Sequence, residues 1–209
     1  MKVQCVAFDV VGVLIREEKI VSRVLFGMLP EPKRINKEEL KKLYEDGLRI
    51  GNMTDAEFWS RFVEGDWHDA ESRYLKSLTV DYTAAEVFLR LSSRYKLAIV
   101  SDMPARWGRY ALDRIGCSKY VSVSIFSDEL RAEKGGGLPY RILRDKLDIP
   151  FDSIIYVDDR KRNLRVADEL GIITVWYQSR EDDDPFKPKT VARSLQDVAQ
   201  FVNTFERSQ

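Results

Sequence analysis

Three short apolar runs of this 209-residue chain end in polar side chains that could perform phosphate chemistry. Asp9, Ser101 and the pair Asp158-Asp159 each follow such a run, and Lys134 stands directly before three glycines. Carboxylates from two segments make a set of hard oxygen ligands suited to Mg²⁺. A hydroxyl and a lysine supply the hydrogen-bond donors and the positive charge that phosphoryl oxygens need. These residue types favour a metal-assisted phosphate site.

These side chains can meet only if the apolar runs are strands of one sheet. Strands alternate with helices after residue 80, and this pattern predicts an α/β fold with a doubly wound parallel sheet. The predicted strands are 2–8, 97–100, 121–126, 153–157 and 172–176. The predicted helices are 84–94, 104–115, 140–147, 161–170 and 194–205, with an acidic connector at 181–189. Ligands bind beyond the carboxyl ends of strands in such sheets, so we expect the site at that edge.

The segment 16–80 has a different, helical character. Apolar residues recur at three- and four-residue spacing over 37–48, 54–63 and 70–78. Thr54 and Glu57 form a capping box, which predicts a helix start. We therefore expect a small helical cap, 16–80, inserted after the first strand. The core domain would then consist of 1–15 and 81–209.

Composition excludes several classes of protein. Lys plus Arg and Asp plus Glu both number 34, which argues against general nucleic-acid binding. No apolar run approaches the roughly 20 residues that span a bilayer. The two cysteines, Cys5 and Cys117, lie far apart and form no metal-binding cluster. We expect a cytoplasmic chain without nucleic-acid or membrane partners, either a monomer or a homodimer.

Four motifs, in this order, resemble the haloacid dehalogenase-like superfamily of hydrolases, most of which are phosphatases. They are FDVVGVL at 8–14, IVSDM at 99–103, SDELRAEKGGGLPY at 127–140 and YVDDRKRNLRVADELGI at 156–172. The resemblance extends from residue 3 to about residue 177. The stretch GLRIGNMTDAEFWSRF at 47–62 resembles the helical cap of the subclass that contains sugar-phosphate phosphatases and the phosphatase domain of soluble epoxide hydrolases.

The resemblance implies a role for each motif residue. It places Asp9 as the nucleophile that forms an aspartyl-phosphate. It implies phosphate binding by Ser101, Lys134 and Gly12. It implies an Mg²⁺ site made of Asp9, the backbone carbonyl of Val11, Asp158 and Asp159. Asn163 and Asp102 would support these residues, and Gly135 and Gly137 replace the prolines that usually follow the lysine.

One departure from the family pattern concerns proton transfer. Val11 stands where phosphatases of the family usually carry a second Asp, which acts as general acid and base. A positioned general acid is typically worth about 10² to 10⁴ in rate. We therefore expect the rate to depend steeply on the leaving group, in favour of sugar 1-phosphates, aryl phosphates and acyl phosphates. His68, the only histidine, is a candidate replacement, although a lone histidine in a polar segment is more often exposed.

Other residues have a structural interpretation. Phe58, Trp59, Phe62 and Trp67 lie at helical or near-helical spacing and are predicted to pack the cap against itself. Asp102 is solvated or caps the helix that begins near Pro104. The basic run 160–162 is interpreted as a solvated helix start, with a phosphate or partner contact as the alternative.

Three functions are compatible with these features. The first is a Mg²⁺-dependent phosphohydrolase that acts on a small phosphorylated metabolite through Asp9. The second is a catalytically weak relative that binds a phosphorylated ligand or a protein partner, which Val11 and the triple glycine would favour. The third is a 2-haloacid dehalogenase, which is disfavoured because such enzymes generally have an aromatic residue in place of Val11 and lack the acidic pair.

Overall fold

A six-stranded, all-parallel sheet forms the centre of the protein. The computed structural model describes residues 2–29, 35–179 and 181–205. The strands are β1 (Cys5–Phe8), β2 (Lys96–Ser101), β3 (Val121–Phe126), β4 (Ile154–Asp158), β5 (Ile173–Tyr177) and β6 (Val191–Ala192). Their order in the sheet is β3-β2-β1-β4-β5-β6. This arrangement confirms the predicted doubly wound parallel sheet.

Helices cover both faces of this sheet. They are α5 (Thr83–Ser92), α6 (Ala105–Ile115), α7 (Ser127–Leu130), α8 (Leu138–Leu147), α9 (Lys161–Glu169) and α10 (Leu195–Phe205). The alternation of side chains along β1 explains the two layers. Val6 and Phe8 belong to one buried cluster, whereas Cys5 and Ala7 belong to the other. A strand buried on both faces reads as a continuous apolar run.

The central position of β1 decides where the motif residues meet. Phe8 lies opposite Ile99 of β2 and opposite Val157 of β4. The amide of Asp9 continues this register and donates to the Val157 carbonyl at 2.9 Å. The carboxyl ends of three neighbouring strands therefore lie side by side.

A helical segment connects β1 to β2. Its α-helices are α1 (Phe26–Met28), α2 (Lys37–Lys42), α3 (Asp55–Ser60) and α4 (Trp67–Ser77). The predicted helix 37–48 is divided, because a π-helical turn (Leu43–Gly47) and a 3₁₀ turn (Leu48–Ile50) follow α2. A further π-helical turn covers Ile20–Leu25. Residues 30–34 of the predicted cap lie outside the described residues, and the division into cap and core domains stays a prediction.

The capping box at the start of α3 is confirmed. The amide of Glu57 donates to Thr54 Oγ1 at 3.2 Å, and the Thr54 amide donates to Glu57 Oε2 at 2.8 Å. Among the described residues, no helix has both the length and the apolarity needed to cross a membrane.

The predicted aromatic cluster has a partner that the sequence pattern did not indicate. Phe58, Trp59 and Phe62 are buried, as predicted. However, Phe58 and Trp59 also pack on Trp107 of α6, with ring centroids 6.2 and 6.3 Å apart. The insertion is therefore packed against the helices of the sheet and not only against itself. Trp67 is only partly buried and stacks on His68 at 3.8 Å.

Candidate active site

Lys134 is the centre of a buried charge network at the carboxyl edge of the sheet. Its Nζ lies 2.8 Å from Asp9 Oδ2 and 2.7 Å from Asp158 Oδ2. Only 1% of this lysine is exposed. Burial alone would lower the pKa of Lys134, but Asp158 and Asp9 outweigh it and hold the pKa well above its ordinary value. The lysine is therefore a permanent cation between two carboxylates.

Asp9, which directly follows β1, is held in one orientation. Its Oδ1 accepts hydrogen bonds from Ser101 Oγ and from the Val10 amide, both at 2.7 Å. Burial raises the pKa of Asp9 to about 6, against the lowering effect of Lys134, and the charge of Asp158 adds to the increase. Its Oδ2 contacts Lys134, and Asp9 lines the cavity described below.

Asp158, the last residue of β4, has more hydrogen-bond donors than Asp9. Its Oδ2 accepts from Tyr156 Oη at 2.5 Å and from Asn163 Nδ2 at 3.0 Å, in addition to Lys134. Its Oδ1 accepts from the Arg160 amide at 2.7 Å. Burial would raise the pKa of Asp158, but Lys134 and these donors hold it below its ordinary value. Asp158 is thus a fixed anion, and Asn163 supports it.

Asp159 lies against the loop that carries the nucleophile candidate. Gly12 has φ +84°, and a Cβ built there would lie 2.5 Å from both Cγ and Oδ2 of Asp159. A glycine is required because any side chain would displace the Asp159 carboxylate. The Gly12 amide donates to the Ile15 carbonyl at 2.7 Å, and its role in phosphate binding stays a prediction.

The three acidic residues fit a hard divalent cation. Carboxylate oxygens of Asp9, Asp158 and Asp159 lie within 4.8 Å of one another, and all three residues are buried. Several carboxylates this close together in a buried site need compensating positive charge, and Lys134 supplies only one unit. The donor set is the kind that Mg²⁺ uses together with substrate oxygens.

Two structural interpretations from the sequence need correction. Asp102 does not cap α6, because Asp128 Oδ1 accepts from the Ala105 amide at 2.9 Å instead. Asp102 Oδ1 accepts from the Lys134 amide at 2.9 Å and so fixes the lysine loop. The basic run is only partly solvated: Lys161 Nζ lies 4.5 Å above the Trp176 ring and donates to the Asp182 carbonyl.

A cavity of about 740 Å³ lies between this network and the helical insertion. Asp9, Ser101 and Lys134 form part of its lining, together with Val11. The insertion contributes side chains that the sequence did not single out, among them Tyr44 and Arg49. Tyr44 stands four residues after Leu40, so the spacing indicated only a buried helix face. Arg160 and Arg162 also line the cavity.

His68 does not replace the missing acid. Its side chain is 57% exposed and bonds to Asp66 Oδ1 at 2.8 Å. It is absent from the described residues that line the cavity. The expectation that His68 replaces the second Asp therefore finds no support in its position.

Comparison with known proteins identifies the family. The haloacid dehalogenase-like hydrolase family matches residues 6–177, which is most of the chain. The protein belongs to the haloacid dehalogenase-like hydrolases. The predicted resemblance to this superfamily is thereby confirmed, and the chain is a hydrolase of this family, whereas the cap subclass stays a prediction.

One curated protein similar to this haloacid dehalogenase-like hydrolase is a phosphatase. A phosphorylated carbohydrates phosphatase from Thermotoga maritima is 23% identical over 111 residues, which is 52% of this chain and 51% of that protein. The chain thus spans about half the length of this curated relative.

Two solved structures share the fold. One is the L-2-haloacid dehalogenase of Xanthobacter autotrophicus with chloropropionic acid covalently bound, at 16% identity and a TM-score of 0.69. The match covers 96% of this chain and 98% of that one. The other is a family enzyme from Bacteroides thetaiotaomicron in complex with magnesium and inorganic phosphate, at 18% identity and a TM-score of 0.62. It covers 87% of this chain and 98% of that chain. At these identities the likeness shows the fold alone.

Proposed function

We propose that this hydrolase is a Mg²⁺-dependent phosphohydrolase that acts on a small phosphorylated metabolite through Asp9. The observation that carries the proposal is the position of Lys134, buried between Asp9 and Asp158 at one wall of the cavity. A permanent cation beside a carboxylate nucleophile suits a doubly charged phosphoryl group. A 2-haloacid would bring a single carboxylate charge, next to the carbon that carries the halogen.

The reaction would proceed in two steps. In the first, an oxygen of Asp9 attacks phosphorus, the bond from phosphorus to the leaving oxygen breaks, and the leaving oxygen keeps the electron pair. In the second, water attacks the phosphorus of the aspartyl-phosphate, which releases inorganic phosphate and restores Asp9. Ser101 and the Val10 amide orient the carboxylate, and Lys134 offsets charge on the phosphoryl oxygens.

Asp9, Asp159 and the backbone carbonyl of Val11 would hold the metal, with Asp158 completing the acidic set. When bound, Mg²⁺ would offset negative charge on the phosphoryl oxygens. Valine supplies a backbone carbonyl as well as aspartate does, so the loss of the second Asp is compatible with metal binding. The buried acidic triad and the magnesium and phosphate bound to the Bacteroides thetaiotaomicron enzyme both support this assignment.

A phosphorylated sugar is the substrate class that we favour. The cavity is large enough for such a molecule, and the Thermotoga maritima relative acts on phosphorylated carbohydrates by its name. The cap subclass expected from the sequence agrees with this choice. We also propose the cytoplasmic location that is expected from the sequence.

Magnesium should bind to the wild-type protein and stabilise it, because the ion offsets buried negative charge. We expect added Mg²⁺ to raise the melting midpoint and to be required for phosphate release.

Asp159→Asn should weaken Mg²⁺ binding by at least the roughly 10- to 100-fold that loss of a supporting metal-site residue costs. Asp183→Asn, at an exposed position, serves as the control and should behave as wild type. Calorimetric titration with Mg²⁺ and thermal melts measure both effects. Phosphate release that continues in EDTA would contradict the assignment.

A further inference from the structure

We propose that Tyr44 donates the proton that the leaving group needs, in place of the general acid lost at Val11. This inference rests on the proposed phosphohydrolase function. It assigns a catalytic role to a residue of the helical insertion.

The position of the Tyr44 hydroxyl is the first argument. Tyr44 lines the same cavity as Asp9, Ser101 and Lys134. Asp102 and Arg160 line this cavity as well, so Tyr44 and the residues proposed to bind phosphate border the same space. Within the described part of the chain, only Ser22, Tyr44 and Ser101 bring hydroxyl groups to the cavity lining.

Of these three hydroxyl groups, the phenol is the best proton donor that is not already engaged. Ser101 donates its proton to Asp9. A serine hydroxyl such as that of Ser22 is intrinsically a weaker acid than a phenol. None of the described residues forms a hydrogen bond with the Tyr44 hydroxyl. This group is therefore available to a bound substrate.

The ring of Tyr44 is held in place, which a positioned donor requires. It stacks on Trp107 with a centroid distance of 5.6 Å and an interplanar angle of 9°. Trp107 is itself fixed, because its Nε1 donates to the buried Glu71 at 2.7 Å. Glu71 is held in turn by Arg106 Nε at 2.6 Å. The Arg49 guanidinium lies 5.9 Å from the Tyr44 ring centroid.

The local backbone also favours this orientation. Tyr44 lies in the π-helical turn Leu43–Gly47, where the helix that began at Lys37 becomes wider. Such turns are rare and occur frequently at functional sites. Burial raises the pKa of Tyr44 well above its ordinary value, so the hydroxyl keeps its proton before the reaction.

The proton transfers balance over the two steps. When the bond between phosphorus and the leaving oxygen breaks, the electron pair stays on that oxygen and the Tyr44 proton moves to it. The alkoxide of a simple alcohol is a stronger base than a phenolate, and burial, which raises the pKa of Tyr44, makes this difference smaller. In the second step the attacking water gives its proton to the Tyr44 phenolate, which restores the phenol. The net reaction is a phosphate monoester plus water giving an alcohol plus inorganic phosphate.

Two substrates of similar size separate proton donation from binding. Benzyl phosphate releases an alkoxide that needs a proton, whereas p-nitrophenyl phosphate releases a stable phenolate that does not. We expect Tyr44→Phe to lower kcat on benzyl phosphate by about 10²-fold and to change kcat on p-nitrophenyl phosphate by less than about threefold. Phenylalanine keeps the stack on Trp107, so the fold should be retained.

Tyr74→Phe is the matched control. The ring centroids of Tyr74 and Trp107 are 5.0 Å apart. The Tyr74 hydroxyl is buried, and Tyr74 is not among the described residues that line the cavity. This variant should leave both rates unchanged.

An equal loss of kcat on both substrates in Tyr44→Phe, or no loss on either, would overturn the donor role while the phosphohydrolase function stands. A wild-type protein with no turnover above Asp9→Asn on either ester would instead overturn the proposed function, and the donor role with it.

Discussion

Asp9→Asn should abolish phosphate release and leave the protein no less stable than wild type. An amide has nearly the shape of the carboxylate but cannot attack phosphorus. Removing the nucleophile from a covalent hydrolase typically costs on the order of 10⁶ in kcat, so we expect turnover at the limit of detection. No phosphorylated form of the protein should accumulate.

The expected stability follows from the pKa of Asp9. Its folded-state pKa is raised to about 6, above its ordinary value in an unfolded chain. A raised carboxyl pKa means that ionisation opposes folding, and this cost is present above about pH 6. Asparagine removes that charge, and its oxygen still accepts from Ser101 and Val10. Denaturant unfolding near neutral pH should therefore give a free energy of unfolding that is not reduced.

Two measurements decide the outcome for Asp9→Asn. Phosphate release and a urea unfolding curve are compared with those of wild type, and Asp183→Asn controls for the loss of an exposed carboxylate. Turnover within about tenfold of wild type would contradict the assignment of the nucleophile, since the loss of a nucleophile costs far more.

Lys134→Met should damage both activity and stability, because it leaves Asp9 and Asp158 without the cation between them. Removing one partner of a buried ion pair typically costs about 3–5 kcal/mol in the free energy of unfolding. Methionine has a similar length and is apolar, so the loss should come from the unpaired charge. Phosphate release should fall below detection, since the phosphoryl oxygens lose their fixed cation.

The pH dependence of this variant has a definite sign. Lys134 lowers the pKa of Asp9 in the wild type, and without it burial and Asp158 should raise that pKa further above 6. A raised folded-state pKa gives stability that is lost as the pH increases through it. The loss in free energy of unfolding of Lys134→Met relative to wild type should therefore be largest near about pH 8 and should shrink towards about pH 5.

Unfolding curves at several pH values measure this effect. Lys146→Met, which removes an exposed lysine from α8, is the control and should change the free energy of unfolding by less than about 0.5 kcal/mol. A deficit for Lys134→Met that stays constant with pH would show that methionine disturbs packing and not charge.

The sequence was sufficient to predict the residues at the strand ends. Asp9, Ser101 and Asp158 follow buried apolar runs, and parallel strands bring such positions to one edge. The position of Lys134 followed only from the motif resemblance, because no local pattern says which loop returns to that edge. The capping box at Thr54 was also predictable, since both partners lie within one helical turn.

What the sequence did not reveal depends on contacts between distant segments. Asp128 caps α6 across a separation of 23 residues, so Asp102 was the reasonable local choice. The strand β6 has only two residues, too few for a periodic pattern. The sequence pattern indicated only a core position for Tyr44. Its stack on Trp107 and its place in the cavity depend on how the insertion packs.

The most direct test of the proposed function compares phosphate release with halide release by the wild-type protein. The substrates are p-nitrophenyl phosphate, a hexose 1-phosphate and L-2-chloropropionate, each assayed with Mg²⁺ and with EDTA. We expect phosphate release from both esters only when Mg²⁺ is present, and no chloride release under either condition. Chloride release that needs no metal, without phosphate release, would contradict the proposed function and identify a dehalogenase.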